Sequence, residues 1–252
     1  MQNVLLGLIN NTKGQIADDE FGGPDPDELH LTGVILRLND DGSTPRDNPF
    51  YVSGGRIGNA TVGKNLQRVF AYGICNSFGM VFNPKKGTLW NTENGGRSFD
   101  EINRIERGHN GGWVQLMGPL NRVKDYKAIE IAAGVNSGTG APNGMQQLRF
   151  PPQMIQDNIN STRKQMFTIP GSHLTDPEFS WKYVVPLSGL GFINGMALSA
   201  HYDGNLIVGS AVNRTANRGF LFCFRLNIPP TQFLFNSTLL RDKWLTTTRP
   251  TT

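Results

Sequence analysis

The chain has 252 residues, 38% of them hydrophobic, and carries a net charge of +4 from 24 Lys and Arg against 20 Asp and Glu. That apolar content excludes wholesale disorder, while 30 Gly, 15 Pro and only 17% charged residues argue for many tight turns and against a helix bundle. No apolar stretch approaches the ~18 residues of a membrane span, and the dispersed Lys and Arg form no nucleic-acid recognition motif.

Met1 to Gly7 has no basic region and too short an apolar run for a secretory leader. Gly33–Asn39 reads as a strand that runs into an Asp40-Asp41-Gly42 turn. Gly79–Asn83 and Thr88–Thr92, joined across Lys85-Lys86-Gly87, read as a hairpin, with Glu101–Ile105 as a third strand. The same grammar returns as Gly195–Leu198, an Asp203-Gly204 turn, Asn205–Gly209 and Gly219–Leu226. Between the two, residues 114–176 lack clean alternation and are rich in Gly, Asn, Gln and Pro. They are expected to form a long insertion between strands, with one short helix near Pro152–Asn158. Helical periodicity is nearly absent elsewhere, and the polar tail Thr246–Thr252 is expected to fray.

A repeated antiparallel unit of this kind cannot bury both faces alone, so several must stack, as blades do in a β-propeller. The fold class is therefore all-β. At roughly 40–50 residues per blade, residues 1–252 hold about three to four blades, a partial propeller. Cys75 and Cys223 permit at most one disulfide and form no CxxC metal pair. Five Asn-X-Ser/Thr sequons, at Asn10, Asn59, Asn160, Asn213 and Asn236, favour an exported protein.

Tyr72-Gly73-Ile74-Cys75-Asn76-Ser77-Phe78-Gly79 resembles the glucose/sorbosone dehydrogenase family, the soluble quinoprotein sugar dehydrogenases. Four further stretches carry the resemblance in order: Gly33–Phe50, Gly87–Gly95, Asp100–Asn103 with Gly108–Trp113, and Asp176–Trp181. Together they cover most of residues 33–227. The resemblance implies a six-bladed propeller whose central mouth holds pyrroloquinoline quinone (PQQ) and Ca²⁺, an aldose sugar as substrate, and a periplasmic or extracellular location. It also implies blades beyond both ends of this chain, with the catalytic histidine upstream of Met1. The chain is thus expected to be a fragment of a longer protein, with no catalytic residue of its own.

Oxidising a sugar at its anomeric carbon requires a base, an electrophilic quinone and a Lewis acid, and a tricarboxylate cofactor needs cationic partners. Cys75 stands where the resemblance places an arginine over the quinone, and a thiol cannot mimic that five-donor fork. A buried small residue is the alternative reading of Cys75. Asn76 is a candidate hydrogen-bond partner of the quinone, or simple turn chemistry. In Thr92-Glu93-Asn94-Gly95-Gly96, the resemblance assigns the carbonyls of Gly95 and Gly96 to the cofactor's Ca²⁺, with Gly96 replacing the usual proline. An ordinary Gly-rich turn is the alternative.

Asp100 and Glu101 fall where the resemblance places a second, structural Ca²⁺, Glu101 being the better ligand; a solvated acidic pair is equally compatible. Ser188, in Pro186-Leu187-Ser188-Gly189, matches a polar cofactor contact. His109 tempts as a base but is expected to be structural, and His30, His173 and His201 form no metal set. Trp113 and Trp181 are expected to pack rather than to bind sugar. Arg214 and Arg218 could face the cofactor carboxylates or simply be solvated turn residues. Two functions follow: a quinoprotein sugar dehydrogenase, incomplete or impaired in this chain, or a non-catalytic extracellular binding propeller without the cofactor. A non-functional truncated product is a third, weaker reading. Exposed blade faces are expected to promote self-association.

Overall fold

The structure, a computed structural model, describes residues 31, 33–57, 60–133, 151–196, 198–211, 219–226, 233–235 and 244–245. Several sequence features lie outside the described residues: the N-terminal stretch, His30, the sequons other than Asn160, Arg214, Arg218 and the tail. The chain divides into two compact units, one from Met1–Cys75 with Glu106–Thr175, the other from Asn76–Ile105 with Asp176–Thr252.

The first unit is built on four short strands, β1 (Val34–Leu36), β2 (Val69–Tyr72), β6 (His109–Asn110) and β7 (His173–Leu174), in the order β1-β2-β6-β7. Around them lie the helices α1 (Tyr51–Gly55), α2 (Ala60–Arg68), α3 (Val123–Ala133) and α4 (Ile159–Gln165), with 3₁₀ turns at Leu120–Arg122 and Pro152–Met154. Among the described residues, 114–176 therefore contain two α-helices, at Val123–Ala133 and Ile159–Gln165, where the sequence suggested one short helix near Pro152–Asn158, a stretch that holds a 3₁₀ turn. In α2 the apolar signal is a single pair, Val62 and Leu66, too faint to register as periodicity. Tertiary packing supplies the rest. Gly54 and Gly63 let α1 and α2 meet backbone to backbone, since a Cβ on Gly54 would come within 2.5 Å of the Gly63 carbonyl oxygen. Leu66 joins Val34, Phe50, Val69, Tyr72 and Ile169 in one buried cluster. The Tyr72 ring meets Phe50 and Phe167 edge-on, and its hydroxyl bonds Ser172 at 2.8 Å.

The second unit holds two sheets. One has five strands in the order β12-β8-β5-β4-β3, from β3 (Asn76–Phe82), β4 (Leu89–Asn94), β5 (Ser98–Ile105), β8 (Phe179–Tyr183) and β12 (Trp244–Leu245). The other has three, β11-β10-β9, from β9 (Leu187–Phe192), β10 (Leu206–Ser210) and β11 (Leu221–Phe224). Strands β3-β4-β5 and β9-β10-β11 each form an antiparallel meander, the repeated unit read from the sequence. Among the described residues neither sheet closes on itself.

One repeat strand is displaced. Residues 195–198 were expected to pair with Asn205–Gly209, but the partner of β10 is β9, and the segment after Gly195 turns instead. Gly195 at φ +91° and Ser199 at φ +92° break extension there, and the Ser199 N–H closes on the Met196 carbonyl at 3.0 Å. Strand β9 was hidden because glycines at 189 and 191 interrupt its apolar residues. The unit's core is aromatic: Phe179 sits 4.7 Å from Trp181, 5.2 Å from Phe224 and 5.4 Å from Phe235 between ring centroids. Such pairs add about 0.5–1.5 kcal/mol each beyond their buried area. Among the described residues no helix is long and apolar enough to cross a membrane.

Candidate functional site

Within the second unit, the end of β4 and the start of β9 converge on the loop Gly95–Arg97. Here a Cβ on Gly95 would collide with the Ser98 carbonyl oxygen, so only glycine fits. Phe99, fully buried, adopts φ +58°, a conformation that bulky side chains seldom enter. That kink delivers Asp100 into the interior, 0% exposed, where one carboxylate oxygen accepts the Gly95 N–H at 2.9 Å and the other the Val185 N–H at 2.6 Å. Burial pushes the Asp100 carboxyl up to about 6, against the opposing pull of the Val185, Gly95 and Leu187 N–H groups.

Asn94, the last residue of β4, grips β9 in both directions. Its Oδ1 accepts the Leu187 N–H at 2.6 Å, and its Nδ2 donates to the Leu187 carbonyl at 2.8 Å. Thr92 donates from Oγ1 to the Ser188 carbonyl at 2.8 Å. Asn76 stands opposite Asn94 in the β3–β4 ladder. The structure thus gathers Asn76, Gly95 and Ser188 at one end of this unit, with exposed Gly96 beside them.

Asp100 and Glu101, neighbours on a strand, direct their carboxylates to opposite faces. Glu101, 3% exposed, accepts from Asn103 Nδ2 at 3.1 Å, and the same nitrogen donates to Glu93 at 2.9 Å. Asn91 Nδ2 also donates to Glu93, at 3.1 Å. The register sets Glu93 opposite Glu101 and Asn91 opposite Asn103, so four buried polar side chains share one face of β4 and β5. Sequence reasoning passed over Asn91, Glu93, Asn94 and Asn103. For the three on β4 the signal was a six-residue strand, Leu-Trp-Asn-Thr-Glu-Asn, with too few apolar residues for its burial.

In the first unit, the Tyr72-Gly73 and His109–Trp113 motifs meet. The Gly111 N–H bonds the Tyr72 carbonyl at 2.9 Å and the Trp113 N–H bonds the Gly73 carbonyl at 3.1 Å. Gly73, at φ +72°, leaves room for Asn110 Oδ1, which a Cβ would approach to 2.6 Å. His109 is completely buried with neither ring nitrogen hydrogen-bonded, and burial, reinforced by neighbouring His173, lowers it to about 3. Cys75 is half-buried and in no disulfide. Among the described residues, no group of three or more His, Cys, Asp or Glu is arranged to hold a metal ion.

A family model for glucose/sorbosone dehydrogenases matches residues 8–142, more than half of the chain. The chain belongs to that family. It is 35% identical over 112 residues to the aldose sugar dehydrogenase YliI of Escherichia coli K12, a match covering 44% of this chain and 28% of that protein. It is also similar to quinoprotein glucose dehydrogenase B of Acinetobacter calcoaceticus, 29% identical over 245 residues, 91% of this chain and 46% of that one. The chain thus spans less than half the length of these relatives. The crystal structure of the apo form of soluble aldose sugar dehydrogenase from Escherichia coli matches 77% of this chain and 44% of its own, at 24% identity and a TM-score of 0.45.

The PQQ and Ca²⁺ that the sequence resemblance implies would meet different residues. A hard cation takes backbone carbonyl oxygens, and a glycine loop with no room for a Cβ suits it. Both oxygens of Asp100, a candidate cation ligand in the sequence, are by contrast already taken up by the Gly95 and Val185 N–H groups. An anionic quinone needs cations, and a cysteine at residue 75 does not supply the guanidinium fork that would meet that need.

Proposed function

We propose that this chain contributes the cation-binding floor of a quinoprotein that oxidises aldose sugars. The carbonyls of Gly95 and Gly96 would hold the cofactor's Ca²⁺, Asn76 and Ser188 would meet the quinone as polar partners, and Glu101 would serve a second Ca²⁺. Residue 75 is assigned to the quinone's cover on the sequence resemblance. Held by these residues, PQQ would supply a hydride acceptor and Ca²⁺ a Lewis acid, the two functions that aldose oxidation needs. The chain's own part is to present oxygen donors in a fixed arrangement, with the catalytic base supplied from outside these residues. The supporting observation is the Gly95 loop, closed by Asp100 and joined to β9 through Asn94.

The two three-stranded meanders are read as blades of a six-bladed propeller, and the location as periplasmic or extracellular. Phe78, Met80 and Phe82, 63%, 49% and 63% exposed along β3, are read as a self-association surface. The test is titration of the purified chain with PQQ in the presence of Ca²⁺, followed by cofactor absorbance and by dye-linked oxidation of aldoses. A Ca²⁺-dependent absorbance shift supports the reading, and no binding at high cofactor concentration removes it. Cys75 favours a second reading, a propeller that binds a ligand without the cofactor.

A further inference from the structure

We infer that Asp100 and Asn94 are positioning residues, which lock the Gly95 loop and the Val185–Ser188 segment into one rigid arrangement. The inference deepens the proposed cation floor and rests on that reading only for what the arrangement is used to bind.

Both oxygens of Asp100 already accept backbone N–H groups, from Gly95 on one side and Val185 on the other. A carboxylate so engaged has its best lone pairs directed at protein, and its 0% exposure leaves it no solvent to exchange them with. It therefore acts as a bridge between two chain segments 85 residues apart in sequence. Asn94 makes the second bridge, and its reciprocal pair with Leu187 copies one rung of a β-ladder with a side-chain amide. Thr92 adds a third through the Ser188 carbonyl.

The three contacts are not equivalent. Asp100 binds only N–H groups, so it fixes backbone without occupying a carbonyl, and every carbonyl of the Gly95–Arg97 loop is left for other use by this residue. Asn94 fixes Leu187 through both its N–H and its carbonyl, which sets the strand's rotation as well as its position. The strained Phe99 backbone is the cost of turning Asp100 inward between them. Each loop alone would be free to move, because short irregular segments order only through what they bond. Linked in this way they move together or not at all.

The test is amide hydrogen exchange by NMR on the full chain, wild type against Asp100→Asn and Asn94→Ala, with Ca²⁺ binding measured calorimetrically on the same samples. Asp100→Asn is isosteric but turns an acceptor into a donor facing an N–H group. It is expected to speed exchange at Gly95 and Val185 by about tenfold or more, the equivalent of ~1.4 kcal/mol, leaving Ile102 and Val208 unchanged. Asn94→Ala, at a half-buried position, is expected to do the same at Leu187. Wild-type exchange at Gly95, Val185 and Leu187 in both variants overturns the inference. So does a uniform loss of protection across β4, β5 and β10, because the two residues would then serve the fold at large. If the local pattern appears but the wild-type chain takes up no Ca²⁺, the positioning roles stand and the cation floor fails. If Ca²⁺ binds to the wild type, both variants are expected to bind it at least about tenfold more weakly.

Discussion

His109 lies at the centre of the first unit's sheet, on β6, completely buried and with no hydrogen-bond partner for either ring nitrogen. Protonating it would place a cation where no acceptor waits. Its register partner across the ladder is His173, which adds repulsion, while the Glu106 carboxylate lies 3.9 Å from His173. The folded chain therefore holds His109 neutral down to about 3, whereas the unfolded chain protonates it at its ordinary 6.5. A depressed histidine of this kind favours the folded state above pH 6.5 and loses that advantage as pH falls, because only the unfolded chain gains the proton. At ~1.4 kcal/mol per unit, acidification from pH 6.5 to 5 removes about 2 kcal/mol, and to pH 3 about 5 kcal/mol. That upper figure rivals the whole stability of a typical domain.

The assay is native-state hydrogen exchange at the β2 and β6 amides, corrected for intrinsic rates, at pH 7 and pH 5. Wild type is expected to lose about 2 kcal/mol of opening free energy between the two, and His109→Phe most of that slope, since phenylalanine fills the same site without a proton to take up. Asp100, whose folded pKa is raised, acts in the opposite sense in the other unit, so amides of the first unit are the ones to follow. Equal pH dependence in wild type and His109→Phe would refute the assignment.

Further outcomes follow from the second unit. Gly95→Ala is expected to dislodge the loop against Ser98, destabilising by about 1–3 kcal/mol and weakening Ca²⁺ uptake, as denaturant midpoints and calorimetry would show. Phe179→Ala removes the ring that touches Trp181, Phe224 and Phe235 and is expected to cost about 3–5 kcal/mol by urea unfolding, against under ~2 for Phe179→Leu. Replacing Phe78 and Phe82 with threonine is expected to lower self-association in analytical ultracentrifugation without shifting the unfolding midpoint, as both are solvent-facing.

The elements that could be read from the sequence were those with local signals. The β3–β4 hairpin announced itself through alternating residues around a Pro-Lys-Lys-Gly turn, and β10 and β11 through their runs of Leu, Ile, Val and Phe. Helix α2 and strand β9 did not, because each depends on glycine. Gly63 brings α2 against α1, and Gly79 on β3 leaves no room for a Cβ beside the Ser188 carbonyl and Leu190 of β9. A glycine read in sequence marks a turn, while the same residue in the fold can mark a close approach between distant segments. The site shows the same division. Gly95 and Ser188 were named as candidates from motifs, but nothing local pairs Asp100 with Val185 or Asn94 with Leu187, since those contacts cross 85 and 93 positions.

The proposed assignment of Ca²⁺ to Gly95, Gly96 and Glu101 and of the quinone's cover to residue 75 has a sharper test than activity alone. Oxygen donors around Gly95 and Glu101 do not depend on residue 75, so Ca²⁺ affinity is expected to be the same in wild type and Cys75→Arg. On the proposed assignment anionic cofactor affinity is expected to rise in Cys75→Arg, because a guanidinium donates charge-assisted hydrogen bonds worth about 1.5–3 kcal/mol, or roughly 10- to 150-fold in binding. PQQ titration by absorbance in saturating Ca²⁺ should therefore separate the two proteins while Ca²⁺ calorimetry does not. If Cys75→Arg leaves PQQ affinity unchanged although Ca²⁺ binds, the missing cation is not what limits the cofactor. The ligand-binding reading without a quinone then gains the ground that the thiol at position 75 first gave it.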